Sequence, residues 1–133
     1  MADSELAATE HGTLSAISNE MVRIYKDQFG RGPTKTRTQW AGPDLLIVTL
    51  EQTFTPAERK LCSMGEHARL RELRLLFQYA ETGVFCEPVE RLTGRTVRAF
   101  VSGIDTHADL ATETFVLYPA GHDGPSRGEI DHG

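Results

Sequence analysis

The 133-residue chain has little of what metal centres, disulfide frameworks or membrane spans require. It holds two cysteines, Cys62 and Cys86, far apart and in no metal or redox spacing. Reduced thiols in a cytosolic protein are the expected state. The longest strongly apolar stretch, Leu45–Leu50, falls far short of the roughly 20 residues that cross a bilayer. The opening MADSELAATEHG has neither a basic region nor an apolar core, so it does not read as a signal peptide. Positive charge is not in excess: the formal net charge is −5. That weighs against bulk nucleic-acid binding, whose footprint is a basic face. Catalytic signatures are missing as well. Ser102-Gly103 lacks the G-x-S-x-G context, and Glu66-His67 lacks the earlier histidine of an H-x-x-E-H helix. The expectation is no catalytic residue, no metal and no cofactor.

What is present reads as one domain. Hydrophobic residues make up 39% of the chain, enough for a core at this length. Residues 1–11 and the tail 120–133 are polar and rich in small residues, so both are expected to be loose. Between them lies a single domain, 12–119. A helix is predicted over Thr13–Phe29, because Leu14, Ile17, Met21 and Ile24 share one face. Gly30 suits its left-handed end and Pro33 prevents its resumption. Thr34–Trp40 and Leu45–Thr53 read as two strands of a hairpin turned at Ala41–Asp44.

Thr55-Pro56-Ala57-Glu58 is a helix start with a capping box. The helix is predicted to reach Tyr79–Glu81, with a bend near Gly65. Its main apolar face holds Ala57, Leu61, Met64, Ala68, Leu75, Leu76 and Tyr79. In its second half Leu70, Leu73, Phe77 and Ala80 extend the apolar surface most of the way round, leaving a narrow polar stripe of Lys60, Ser63, His67, Arg71, Arg74 and Gln78. A helix this apolar suggests a central helix or an oligomer interface. A shorter helix, Val84–Thr93, ends at Gly94, and Pro88 suggests a true start near Cys86. Strands at Thr96–Ser102 and Ala111–Tyr118 follow, joined by the loop Gly103–Asp109. The order α-β-β-α-α-β-β implies an α+β fold: a four-stranded antiparallel sheet with helices packed on one face. The uncovered sheet face suggests a homo-oligomer, in the simplest case a dimer.

The most informative segment is the Gly30-Arg31-Gly32-Pro33 turn followed by Lys35 and Arg37. Fixed cations at a rigid turn suit an anion or an acidic partner; the same charges on an edge strand also prevent sheet-edge aggregation. The His67, Arg71 and Arg74 stripe is a second candidate of the same chemistry, or a solvated helix face. Glu72 falls on the main apolar face and needs a partner there, for which Arg98 is available.

Five segments in order, IYKDQFGRGPTKTRTQW, FTPAERKL, GEHARLRELRLLFQ, ERLTGRTVRAFVSGID and ETFVLYP, resemble the MpsC-type domain. That family takes its name from a sodium-translocating, membrane-potential-generating system. The resemblance spans about residues 13–119 and includes Gly30, Gly32, Pro33, Thr34, Arg74, Gly94, Arg98, Gly103 and Asp105. It implies a soluble accessory protein of a cation (sodium) or bicarbonate transport system, with a membrane transport protein as a possible partner. Thr55, Gly94, Gly103 and Asp105 are expected to be structural. Two other readings stay open. One is an RNA- or ribosome-associated domain, with Trp40, Phe100 and Tyr118 stacking on bases. The other is a small-molecule enzyme built on Glu72, His67 and Asp105.

Overall fold

The computed structural model describes residues 2–129. The order is α1 (Ala2–Phe29), β1 (Lys35–Trp40), β2 (Leu45–Glu51), α2 (Pro56–Ser63), α3 (His67–Ala80), α4 (Thr82–Thr93), β3 (Val97–Asp105) and β4 (Leu110–Leu117), with a short 3-10 turn at Arg127–Glu129. The four strands form one antiparallel sheet in the order β1-β2-β4-β3. The two hairpins therefore meet through β2 and β4 in the middle, and the three helices between them form the crossover. The expected α+β class and element order are what the chain adopts.

Alternation along the strands sends side chains to the two sheet faces in turn. Leu46, Val48, Leu50, Ala111, Phe115, Leu117, Val97 and Phe100 are buried on the helical side. They meet Ile17, Met21, Ile24 and Tyr25 of α1 and Phe85, Cys86 and Val89 of α4. An aromatic line runs through this layer, with ring centroids 5.2 Å apart for Phe100–Phe115, 5.6 Å for Phe85–Phe100 and 5.9 Å for Tyr25–Phe85.

The other sheet face is bare of helices. The strand register arranges it in rows: Lys35-Glu51-Leu110-Asp105, then Arg37-Thr49-Thr112-Gly103, then Gln39-Ile47-Thr114-Val101. A fourth row follows, Leu45-Val116-Ala99. The face is charged at one end and apolar at the other.

Several boundaries differ from the sequence reading, each for a local reason. α1 begins at Ala2, not Thr13, so residues 2–11 continue the helix where a loose segment was expected. The single long helix is two: Gly65 at φ +79° breaks it, and α3 starts afresh at His67. α4 begins at Thr82, so Pro88 lies inside it instead of in its first turn. Proline there removes one helical hydrogen bond, and the burial of Pro88 and Val89 offsets part of that cost. β3 runs on to Asp105, which places Gly103 and Asp105 in a strand and not in a loop. The tail is docked as far as Glu129: Ser126 is buried and its Oγ donates to Glu90 Oε2 at 2.7 Å. Residues 130–133 lie outside the described residues.

Candidate functional site

The turn after α1 is built as its residues demand. Gly30 has φ +79°, and its N–H donates to the Lys26 carbonyl at 2.9 Å. A Cβ on Gly32 would sit 3.3 Å from Val22 Cγ1, a tight contact that the Val22 side chain would have to yield to, so glycine lets the chain fold back closely along α1. Pro33 and Thr34 lead into β1, and the Thr34 N–H donates to the Glu51 carbonyl at 3.0 Å.

Arg31 is not a free cation at this turn. Its Nη1 donates to the Phe54 carbonyl at 3.2 Å. Phe54 belongs to the corner Thr53-Phe54-Thr55 between β2 and α2, and Thr53 and Phe54 are both buried. Only the Thr55 carbonyl has a helix partner, the Arg59 N–H of α2 at 3.0 Å, yet buried amides and carbonyls must be hydrogen-bonded. Charged side chains do it. Asp109 Oδ1 accepts from Thr53 N at 2.9 Å, and Oδ2 accepts from Phe54 N at 3.2 Å. Arg74 Nη2 donates to the Thr53 carbonyl at 2.9 Å. Glu58 Oε1 accepts from Thr55 N at 2.9 Å, which is one half of the expected capping box.

Arg74 is the centre of this corner and not part of a solvated stripe. It is 1% exposed, lies 3.7 Å over the Phe29 ring, and holds Glu58 by two bonds of 2.6 Å. Burial alone would raise the Glu58 carboxyl. The hydrogen bonds from Arg74 and Thr55, with the charge of Arg74, outweigh burial and bring it below its ordinary value. Arg31 and Arg74 are thus structural.

The other candidate residues do not converge. Lys35 and Arg37 project from the bare sheet face and, with Gln39, Thr49 and Glu51, line a shallow depression of about 200 Å³. Lys35 stands 3.8 Å from Glu51. Arg37 has no ion-pair partner among the described residues. His67 and Arg71 lie on α3, on the helical side. His67 stacks on His107 at 3.8 Å, and its Nδ1 is 2.8 Å from Thr106 Oγ1, which ties the start of α3 to the β3–β4 turn. Arg71 is exposed.

Glu72 is exposed, so it needs no core partner. Arg98 is exposed too, at the irregularity in β3. Gly94 ends α4 at φ +70°. A Cβ on Gly103 would come to 3.4 Å from Thr112 Oγ1, ordinary contact on the bare face. Asp105 accepts from the His107 and Ala108 amides at 2.9 and 3.1 Å, shaping the β3–β4 turn. Of the three aromatics considered for base stacking, Phe100 is buried and cannot present a ring.

Helix α3 carries the largest surprise. Its inward residues are Leu70, Arg74 and Gln78. Leu73, Leu76 and Phe77 point to solvent at 45, 65 and 45% exposure, with Met64 before them and Val84 after, at 62 and 45%. The apolar surface that periodicity assigns to a central helix or an oligomer interface is in large part the outer side, and the polar Arg74 and Gln78 face inward.

Beneath α3 lies a polar group that sequence reasoning missed. Glu113 on β4 is wholly buried, and its Oε1 accepts from Tyr25, Gln78 and Ser102. The available signal was its alternation with Ala111, Phe115 and Leu117 on one strand face. Burial pushes its carboxyl up to about 7, against the pull of those three hydrogen bonds.

Among the described residues no helix is long and apolar enough to cross a membrane, and no group of three or more His, Cys, Asp or Glu converges as a metal site. No solved structure matches the chain. A curated relative, the uncharacterized protein YbcI of Bacillus subtilis (strain 168), is 29% identical over 102 residues, covering 75% of this chain and 76% of that protein. The family model described as "Na+-translocating membrane potential-generating system (MpsC)" matches residues 9–118, nearly the whole of the helices and sheet just described, and the chain belongs to that family.

Proposed function

We propose that this protein is a non-enzymatic accessory component of a Na+-translocating, membrane-potential-generating system, and that it works by assembly. One observation carries the reading: two apolar surfaces are left uncovered on different sides of the molecule, the bare sheet face and the outer side of α3. Uncovered surfaces of this kind mark sites of association.

The sheet face suits a second copy of the chain. A two-fold axis parallel to the strands would bring β1 of one sheet over β3 of its partner. Lys35 and Arg37 would then meet Asp105, and the rows containing Ile47, Val101, Leu45 and Val116 would meet each other. Such an interface is isologous and self-complementary. The α3 surface, with Arg69 and Arg71 beside Leu73, Leu76 and Phe77, stays free in that dimer for a membrane-bound partner.

Light scattering tests the reading. The expected result is a dimer that persists in 1 M salt, and a monomer of unchanged melting temperature for Val101→Arg. A wild-type monomer at all accessible concentrations would remove the sheet face from the proposal. Persistence of every partner contact in a Lys35→Glu, Arg37→Glu double variant would remove the basic strand from it.

A further inference from the structure

Glu113 reaches from β4 into the core with no cation against it. The three donors that meet it converge on one oxygen: Tyr25 Oη at 2.7 Å, Gln78 Nε2 at 2.7 Å and Ser102 Oγ at 2.9 Å, all to Oε1. Oε2 is equally buried and has no hydrogen-bond partner among the described residues. Gln78 is the mirror image. Its Nε2 donates to Glu113 and to the hydroxyls of Ser102 and Tyr25, while its Oε1 is buried without a donor. Two neighbouring side chains thus each leave one oxygen unserved, in a core where such groups are nearly always paired.

An ionised carboxylate is an acceptor at both oxygens, whereas a protonated one has a carbonyl that accepts and a hydroxyl that must donate. The crowding of donors on Oε1 and the bareness of Oε2 follow the second pattern. An amide beside a carboxylic acid is complementary in both directions, N–H to carbonyl and O–H to carbonyl. We propose that Glu113 and Gln78 form a proton-binding site, in which a proton on Glu113 Oε2 is donated to Gln78 Oε1 and closes a cyclic acid–amide pair in the core. A single proton serves both orphaned oxygens, and no new atom is needed.

Among the described residues no cation pairs with Glu113, and the nearby charge of Arg74 acts on Tyr25. From α1, Tyr25 is held neutral, because burial pushes its phenol well above the ordinary value. From α4, the Cys86 thiol is pushed up to about 12 by burial and by Glu90. From α3, Arg74 is held through Nε and Nη2 by Glu58 and the Thr53 carbonyl, with its Nη1 buried and without a hydrogen-bond partner among the described residues, and Tyr79 Oη bonds the Ser102 backbone. The proton is exchangeable near neutrality, since burial holds the Glu113 carboxyl near pH 7. Its loss leaves two buried acceptors without donors between β4 and α3. The helix loosened by deprotonation is the one whose outer side carries Leu73, Leu76 and Phe77.

The test is a titration of the full chain carrying ¹³C at the glutamate carboxyls, followed by NMR in sodium chloride and in choline chloride. The expected result is one carboxyl resonance with a midpoint near pH 7 in both salts, missing from Glu113→Gln. That variant keeps both bonds of the pair, so its melting temperature should stay flat between about pH 5 and 8 while that of the wild type falls. Glutamates that all titrate near the ordinary value of about 4.3 would overturn the proposal. A midpoint that drops as sodium replaces choline would overturn it too, assigning the two oxygens to a monovalent cation. Should Glu113→Gln fail to fold, the wild-type titration in the two salts decides alone.

Discussion

In α1 the residues turned inward are Ile17, Met21, Ile24 and Tyr25, and Arg23, Lys26 and Asp27 face water. In α3 the inward set includes Arg74 and Gln78, and Leu73, Leu76 and Phe77 face out. The two helices lie on the same side of the sheet, so the difference comes from what each must cover. α1 covers mainly the apolar part of the sheet, with Tyr25 reaching Glu113 and Ser18 bonded to Thr38 at its polar points. α3 covers Glu113 and the Thr53-Phe54-Thr55 corner, whose polar groups need donors in the absence of water. Periodicity reports which side of a helix is apolar. It does not report whether the surface beneath is apolar too.

The comparison breaks most decisively at Arg74. Its replacement by Ala strips the corner of a donor and leaves the half-buried Glu58 carboxylate unpaired, a change that typically costs about 3–5 kcal/mol. Urea denaturation followed by circular dichroism measures it. A loss below about 1 kcal/mol, the scale of an exposed ion pair, would show that the inward side of α3 is not essential polar structure.

The next effect is on pH dependence. Glu113 has a carboxyl raised from 4.5 to about 7, so the folded state binds the proton more tightly than the unfolded one. Its contribution is fully present below the unfolded value and is lost as pH rises through the folded one, roughly 3 kcal/mol across that window. Glu58 acts in the opposite sense. Its lowered carboxyl stabilises the fold above the ordinary value, and that contribution is lost as pH falls. Stability curves of wild type and Glu113→Gln, measured by chemical denaturation across the pH range, separate the two.

On α1 the ordinary rule should hold. Ile17→Val removes one buried methylene beneath a fully buried residue and should cost about 1 kcal/mol, read from the same denaturation midpoint. The smallest effect is expected on the outer side of α3. Leu76→Ser should change monomer stability by no more than about 0.5 kcal/mol. If it costs as much as Ile17→Val, Leu76 is packed in solution by something the isolated chain already holds, such as a second copy.

Much of the fold could be read from the chain. The Thr55-Pro56-Ala57-Glu58 capping box, the left-handed glycines Gly30 and Gly94, and the two hairpins are decided by neighbours within a few residues. The candidate surface was only half legible. Lys35 and Arg37 are exposed as their strand alternation implies. Arg31 and Arg74 look the same in sequence and are structural, because their partners lie in a corner that forms only when β2, α2, α3 and the β3–β4 turn come together. Glu72 was misplaced for the same reason: with the phase of α3 set by its polar inner side, position 72 turns to water.

The amino-acid sequence by itself determined the element order, the α+β class and the caps, because helix ends, turns and alternation depend on local sterics and hydrogen bonding. Only the tertiary structure decided which side of α3 faces inward, which arginines are free, and that Glu113 is sealed beside Gln78. Those depend on burial and on polar partners distant along the chain, down to which of two oxygens finds a donor.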